Sequence, residues 1–187
     1  DTSLAYARQF IARWEGHPRI VPALGPHSTY MTTPEILVEV RQLAERHQVP
    51  ILIHLAETAR EVDESLEEMG LSPTAWLQAE GLIDGARVVA AHGVHVDEGD
   101  IDILAKRGVG VVSNPSSNLK LARGIAPYPH LLAHQVALGL GTDGCASNND
   151  LNILSEMSTA AKLHKAVSGD PTALDARTAL RMATRWA

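Results

Sequence analysis

Apolar positions along the chain fall into two alternating patterns: short uninterrupted runs, and longer stretches with a single apolar face. Leu4, Ala7, Ile11 and Trp14 recur at helical spacing and predict a helix over residues 3–15, stopped by Gly16 and His17-Pro18. The apolar run at 20–24 predicts a strand ending in Gly25-Pro26-His27. Thr33 then caps a helix with Pro34 at its first position and Ile36, Leu37, Val40, Leu43 and Ala44 along one side. The same unit recurs. A run at 50–54 ends in His54 and leads into a helix over 58–69 closed by Gly70, with a shorter helix at 73–80. A run at 87–92 ends in His92, and Asp97 caps a helix through Ile101, Leu104 and Ala105 to Gly108. Two more runs follow at 109–114 and 136–141, and a helix over 152–167 comes after the last.

Uniformly apolar runs, rather than alternating ones, are the mark of strands buried on both faces of a parallel sheet. Strand and helix in turn predict the α/β class. Polar residues gather just past the strand ends, at His27, His54, Glu57, His92, Asn114 and Asp143. Open parallel sheets and closed (β/α)8 barrels both place their sites there. No Gly-x-Gly-x-x-Gly or Gly-Lys-Ser/Thr turn follows any run, which favours the TIM-type barrel over a nucleotide-binding open sheet. Five strands do not close an eight-stranded barrel. Residues 1–187 are therefore expected to be a single partial barrel domain of about the last five strand–helix units, with three units preceding residue 1. Its unpaired edges predict aggregation or homo-oligomerisation of the chain in isolation.

Composition narrows the chemistry. With 45% hydrophobic and 20% charged residues the chain has the make-up of a soluble globular protein, and no long apolar run or signal-like start points to a membrane. The expected compartment is the cytoplasm. One cysteine, Cys145, excludes an internal disulfide and a cysteine-based zinc cluster, so any metal must be held by His and carboxylate. A net charge of −6 without a basic block argues against nucleic acid and for a small-molecule partner.

His54 with Glu57 three residues on, His92 at the next strand end and Asp143 at the last place imidazoles and carboxylates on one rim. A catalytic metal takes His nitrogen and carboxylate oxygen and keeps a position for water, while a carboxylate nearby shuttles protons. Taken singly, each residue has a plainer explanation: a hydrogen-bonded histidine, or an aspartate in an Asx-turn. Convergence of three strand ends favours the metal site. Asn114, Ser117 and Asn118 could line a pocket but are expected first of all to form a turn. His95 reads as structural, as do His47, His130, His134 and His164. Cys145 reads as part of a tight loop, and Trp14, Trp76 and Trp186 as packing.

Five motifs stand together in order: Gly25-Pro26-His27, His54-x-x-Glu57, Ala91-His92-Gly93, Ser113-Asn114-Pro115-Ser116-Ser117-Asn118-Leu119-Lys120-Leu121 and Gly141-Thr142-Asp143-Gly144-x-x-Ser147-Asn148-Asn149. As a set they resemble the amidohydrolase superfamily and, within it, the methylthioadenosine/S-adenosylhomocysteine deaminase group. The resemblance implies that His54 and Asp143 are metal ligands, that Glu57 shuttles protons and touches the purine, and that His92 orients the reacting water. It also implies that His27, Glu57 and Asp143 contact substrate. Two-metal members carry a bridging lysine where this chain has Pro26-His27, so the resemblance implies one divalent metal, usually zinc. The superfamily's His-x-His pair has no counterpart in this sequence. The implied reaction is hydrolytic deamination of an adenine nucleoside with release of ammonia. Another hydrolase of the superfamily, such as a guanine-type deaminase or a triazine chlorohydrolase, and an inactive fragment lacking half the metal site stand as alternatives.

Overall fold

A computed structural model of the chain describes residues 2–186. The elements run α1 (Thr2–Trp14), α2 (Pro34–His47), β1 (Ile51–Leu55), α3 (Ala59–Met69), α4 (Pro73–Ala79), β2 (Val88–His92) and α5 (Glu98–Arg107). They continue with β3 (Gly110–Ser113), α6 (Pro115–Lys120), α7 (Tyr128–Ala133), β4 (Leu138–Leu140), α8 (Cys145–Asn148), α9 (Ile153–Ser168) and α10 (Ala176–Met182). The strands form one parallel sheet in the order β1-β2-β3-β4, each step crossed by helix. This is the expected α/β alternation.

Among the described residues, four strands form where five were expected. The run at 20–24 adds only a single parallel bridge, Leu24 to Ile51. Leu24 donates to Pro50 O and accepts from Leu52 N–H, but Pro22 and Pro26, the next residues in line to pair on either side, have no N–H to donate, so the ladder stops at one bridge. Short helices α7, α8 and α10 were not foreseen, since pieces of 4 to 7 residues carry too few turns for a periodic signal.

Helix ends follow their local chemistry. The side chains of Thr58, Ser72, Asp97 and Asn152 each accept an N–H of the first turn, and Asp97 with Asp100 completes a capping box at α5. Gly70, Gly108 and Gly169 close α3, α5 and α9 in the left-handed conformation that a residue without Cβ adopts without strain.

Burial alternates along β1, β2 and β3, and only β4 is buried at every position. Ile51, Ile53 and Leu55 are buried, whereas Leu52 is 46% exposed and His54 is half-buried. In β2, Val88, Ala90 and His92 are buried and Val89 and Ala91 are half-buried. One face of the sheet lies against the helices, with Leu37, Leu77, Ile101, Leu104 and Leu131 in its core. The opposite face, which carries Leu52 and His54, is the more open one.

Replacing Ile53 with serine is expected to cost about 2–5 kcal/mol, because it removes a core side chain and buries a hydroxyl. Leu52→Ser should leave the helical circular dichroism intact and reduce light scattering by the isolated chain. The reverse pattern would show that the faces are misassigned. Asp100, buried and bonded to the Ser72 hydroxyl, has its acidity weakened chiefly by desolvation. An acid whose pKa is raised by folding disfavours the native state while ionised. Lowering the pH from 7 towards 4 should therefore stabilise the parent chain relative to Asp100→Asn, as read by urea titration at each pH.

Candidate active site

The parallel register sets the site. Leu55 pairs with His92, Gly93 N–H donates to Leu55 O at 3.0 Å, and Gly141 N–H donates to Ser113 O at 2.9 Å, so all the strand ends open on one rim. His54 sits on the open face of β1. Its backbone N–H and its ring Nδ1 both reach the carbonyl of His27, at 3.0 and 2.7 Å. A carbonyl only accepts, so Nδ1 carries the proton and the Nε2 lone pair is left free. Metal-binding histidines are held in this way, their second nitrogen donating to a backbone carbonyl.

Three histidines form a file across the rim. The His27 and His54 rings stack with centroids 4.8 Å apart, and His54 and His92 with centroids 5.5 Å apart. His27 and His54, with Leu52, Val89, Ala91 and Val112, line a cleft of about 410 Å³ on the open face. His92 is 2% exposed, and its Nδ1 stands 2.9 Å from Asn118 Oδ1. With Nδ1 donating to that amide oxygen, Nε2 faces Glu57 Oε2 at 3.9 Å.

Glu57 is placed by Glu61. The buried Glu61 carboxylate accepts the N–H groups of Ala56 at 3.0 Å and Glu57 at 2.8 Å, fixing the turn between β1 and α3. Ala56 adopts a φ of 49° there, a conformation costly for any residue with a Cβ and held by these two bonds. Glu61 was not singled out from the sequence. Its signal was the Thr58-to-Glu61 spacing of a capping box, with the carboxylate reaching one and two residues beyond the N-cap, to the N–H groups of Glu57 and Ala56.

Asp143 lies beyond β4 with φ 61°. Its Oδ2 accepts from Ser117 Oγ at 2.6 Å and Ser147 Oγ at 2.7 Å, and its Oδ1 accepts from Gly144 N–H at 2.8 Å. Partial burial works against its charge, but the two hydroxyls, the Gly144 N–H and nearby His92 outweigh it and hold the carboxyl below the usual range. Asn114, Ser117 and Asn118, expected to make a turn, instead lie at or within α6 and address the site. Ser117 aims Asp143, Asn118 holds His92, and Asn114 Nδ2 lies 3.4 Å from His92 Nδ1. Pro115 at the first helical position favours the helix over an open turn. Gly141 is required by proximity, because a Cβ there would stand 2.5 Å from Asn114 Oδ1.

Beneath the rim, the fully buried Glu156 of α9 accepts Ser116 N–H at 2.9 Å and Asn148 Nδ2 at 2.8 Å, and Asn148 also donates to Thr142 O at 2.7 Å. One carboxylate thus ties α6, α8 and the Asp143 loop together. The remaining singled-out side chains lie apart from the rim. His95 Nε2 bonds the Arg123 carbonyl at 2.7 Å, and His164 is buried against Tyr128 with its pKa lowered by desolvation to about 4. Cys145 is exposed at the start of the short helix α8 rather than in a loop. Trp76 is buried, whereas Trp186 is 39% exposed under the Arg181 guanidinium.

No group of three or more His, Cys, Asp or Glu side chains among the described residues converges as a complete metal cage. The donors present nonetheless suit a metal: a histidine with a free Nε2, and an aspartate held ionised. Among the described residues, no helix is long and apolar enough to cross a membrane.

A methylthioadenosine/S-adenosylhomocysteine deaminase of Syntrophobacter fumaroxidans is 49% identical over 184 residues, covering 98% of this chain and 42% of that protein. A 5'-deoxyadenosine deaminase of Methanocaldococcus jannaschii is 46% identical over 167 residues, covering 89% of this chain and 40% of that protein. The crystal structure of a Xanthomonas campestris adenosine deaminase with bound zinc superposes with a TM-score of 0.94 at 44% identity, over 98% of this chain and 42% of that one. A zinc-complexed atrazine chlorohydrolase of Arthrobacter aurescens superposes with a TM-score of 0.88 at 27% identity, over 97% of this chain and 41% of that one. The chain therefore spans about 42% of the length of such relatives, and its four parallel strands and helices form a partial TIM-type barrel. The amidohydrolase family model matches residues 1–186, and the chain belongs to the amidohydrolase family.

Proposed function

We propose that this chain carries the C-terminal part of the active site of a metal-dependent adenine-nucleoside deaminase acting on methylthioadenosine, S-adenosylhomocysteine or adenosine. The observation that carries the proposal is the shared rim of His54, with its Nε2 left free, and Asp143, fixed by three donors, beside Glu57 and His92. Similarity at 46–49% to proteins named as nucleoside deaminases, against 27% to a triazine chlorohydrolase, supports adenine nucleosides over triazines.

His54 and Asp143 would hold the metal, for which the zinc of the solved relatives is the expected ion. When bound, the metal would lower the pKa of water to about 7 and so supply hydroxide near neutral pH. The Glu57 carboxyl gives a proton to the ring nitrogen next to the carbon bearing the exocyclic amine, which makes that carbon electrophilic. The Asp143 carboxylate accepts the proton of the attacking water, and His92, held by Asn118, orients that water through Nε2. Asp143 then passes that proton to the exocyclic amine as the C–N bond breaks and ammonia leaves, and the hydroxyl proton on the tetrahedral carbon returns to Glu57 as the ring carbonyl forms. His27, exposed and stacked on His54, would meet the substrate. A cytoplasmic location accords with the single cysteine and with an intracellular nucleoside as substrate.

Tests of turnover use a completed barrel, in which the segment preceding the matched region of the Xanthomonas enzyme is joined ahead of residue 1. Glu57→Gln in that protein should lower kcat for ammonia release from adenosine or methylthioadenosine by about 10²–10⁴-fold with little change in KM. Normal turnover would remove the shuttle role from Glu57. Dialysis against a chelator should abolish activity and zinc should restore it, and metal analysis should show His54→Ala purifying with far less zinc than its parent. Full activity after chelation would count against the metal-dependent mechanism.

A further inference from the structure

We propose that Arg123 is a positioning residue for Glu57, holding one carboxylate oxygen so that the other is presented to the substrate. This rests on the deaminase function proposed above. Arg123 Nε–H donates to Glu57 Oε1 at 3.1 Å, while Oε2 stands 3.9 Å from His92 Nε2. The two oxygens therefore differ: one is engaged by a cation, and the other faces the rim.

Arg123 is itself held in place. Its backbone N–H donates to Asn118 O at 2.8 Å, and its carbonyl accepts His95 Nε2–H at 2.7 Å. Immediately after it, Gly124 has φ 125°, and a Cβ there would lie 2.9 Å from Val94, so the chain passes hard against the loop leaving β2. The guanidinium thus reaches Glu57 from a fixed base. An ion pair whose arginine is 38% exposed contributes little to folding, so what the contact offers is orientation. Glu61 fixes the backbone of Glu57, and Arg123 fixes its carboxylate. A proton donor confined at both ends reaches the geometry of transfer more often than one free to rotate.

In the completed barrel, Arg123→Gln is expected to lower kcat for adenosine about 10–100-fold with KM within about threefold. Arg123→Lys should recover part of the loss, and in a Glu57→Ala background Arg123→Gln should cost nothing further. The proposal is overturned by a kcat within twofold of the parent, by a raised KM at constant kcat, or by a full additional loss in the Glu57→Ala background. If the parent deaminates no adenine nucleoside, the deaminase function falls by itself. The pairing is then read by NMR of the same completed barrel, where Glu57→Ala should abolish slow solvent exchange of the Arg123 Nε–H. An Nε–H that exchanges equally fast in both chains overturns the positioning role independently of any activity.

Discussion

Parallel strand pairing is the constraint on which the rest of the structure depends. Because every strand runs the same way, every connection after a strand leaves from one edge, and residues distant in sequence arrive together without a long-range contact being designed for each. The register does the alignment. Leu55 opposite His92 and Ser113 opposite Leu140 bring the turns bearing Glu57, His92, Asn114 and Asp143 to one level. Once the hydrogen-bond ladder is fixed, only the last bond rotations of each turn remain to be set.

Some of those last rotations depart from comfortable backbone. Ala56, His92 and Asp143 all adopt positive φ, at 49°, 76° and 61°, although none is glycine. Each is held by neighbours that over-determine it: Glu61 at Ala56, Asn118 at His92, and the Ser117 and Ser147 hydroxyls at Asp143. Strain of this kind persists only where surrounding bonds compensate for it, and it clusters at functional sites. Here it turns the imidazole and the carboxylate towards the rim instead of along the strand.

Much of this was legible in the sequence because strand ends are easily found. A run of apolar residues stopping at His54 or His92 marks its own end, and Asp143 follows the glycine that closes the last run. What the sequence did not reveal is the layer beneath. Ser117 and Asn118 belong to residue types that favour turns, and only the fold shows that a six-residue helix aims them at Asp143 and His92. Glu61 and Glu156 looked like ordinary helix carboxylates, yet both are buried, at 4% and 0% exposure: Glu61 folds back on the turn before its helix, and Glu156 bonds groups of α6 and α8. The run at 20–24 misled for the opposite reason: it has the apolar content of a strand, but prolines two residues to either side of Leu24 block the ladder.

Glu156 carries a consequence for motion. Its carboxylate joins the start of α6 to the end of α8 through Ser116 and Asn148, and Asn148 grips the Thr142 carbonyl next to Asp143. A loop attached at so many points does not fluctuate alone. Opening it means breaking the buried carboxylate's bonds together, so α6, α8 and the Asp143 loop belong to a single cooperative opening unit, with amide protection rising and falling in concert. The aspartate at the rim is thereby tied to the long helix behind it, and on the histidine side a ligand meets the exposed ring of His27, whose backbone is joined to β1 by the Leu24 bridge and by the two bonds of its carbonyl to His54.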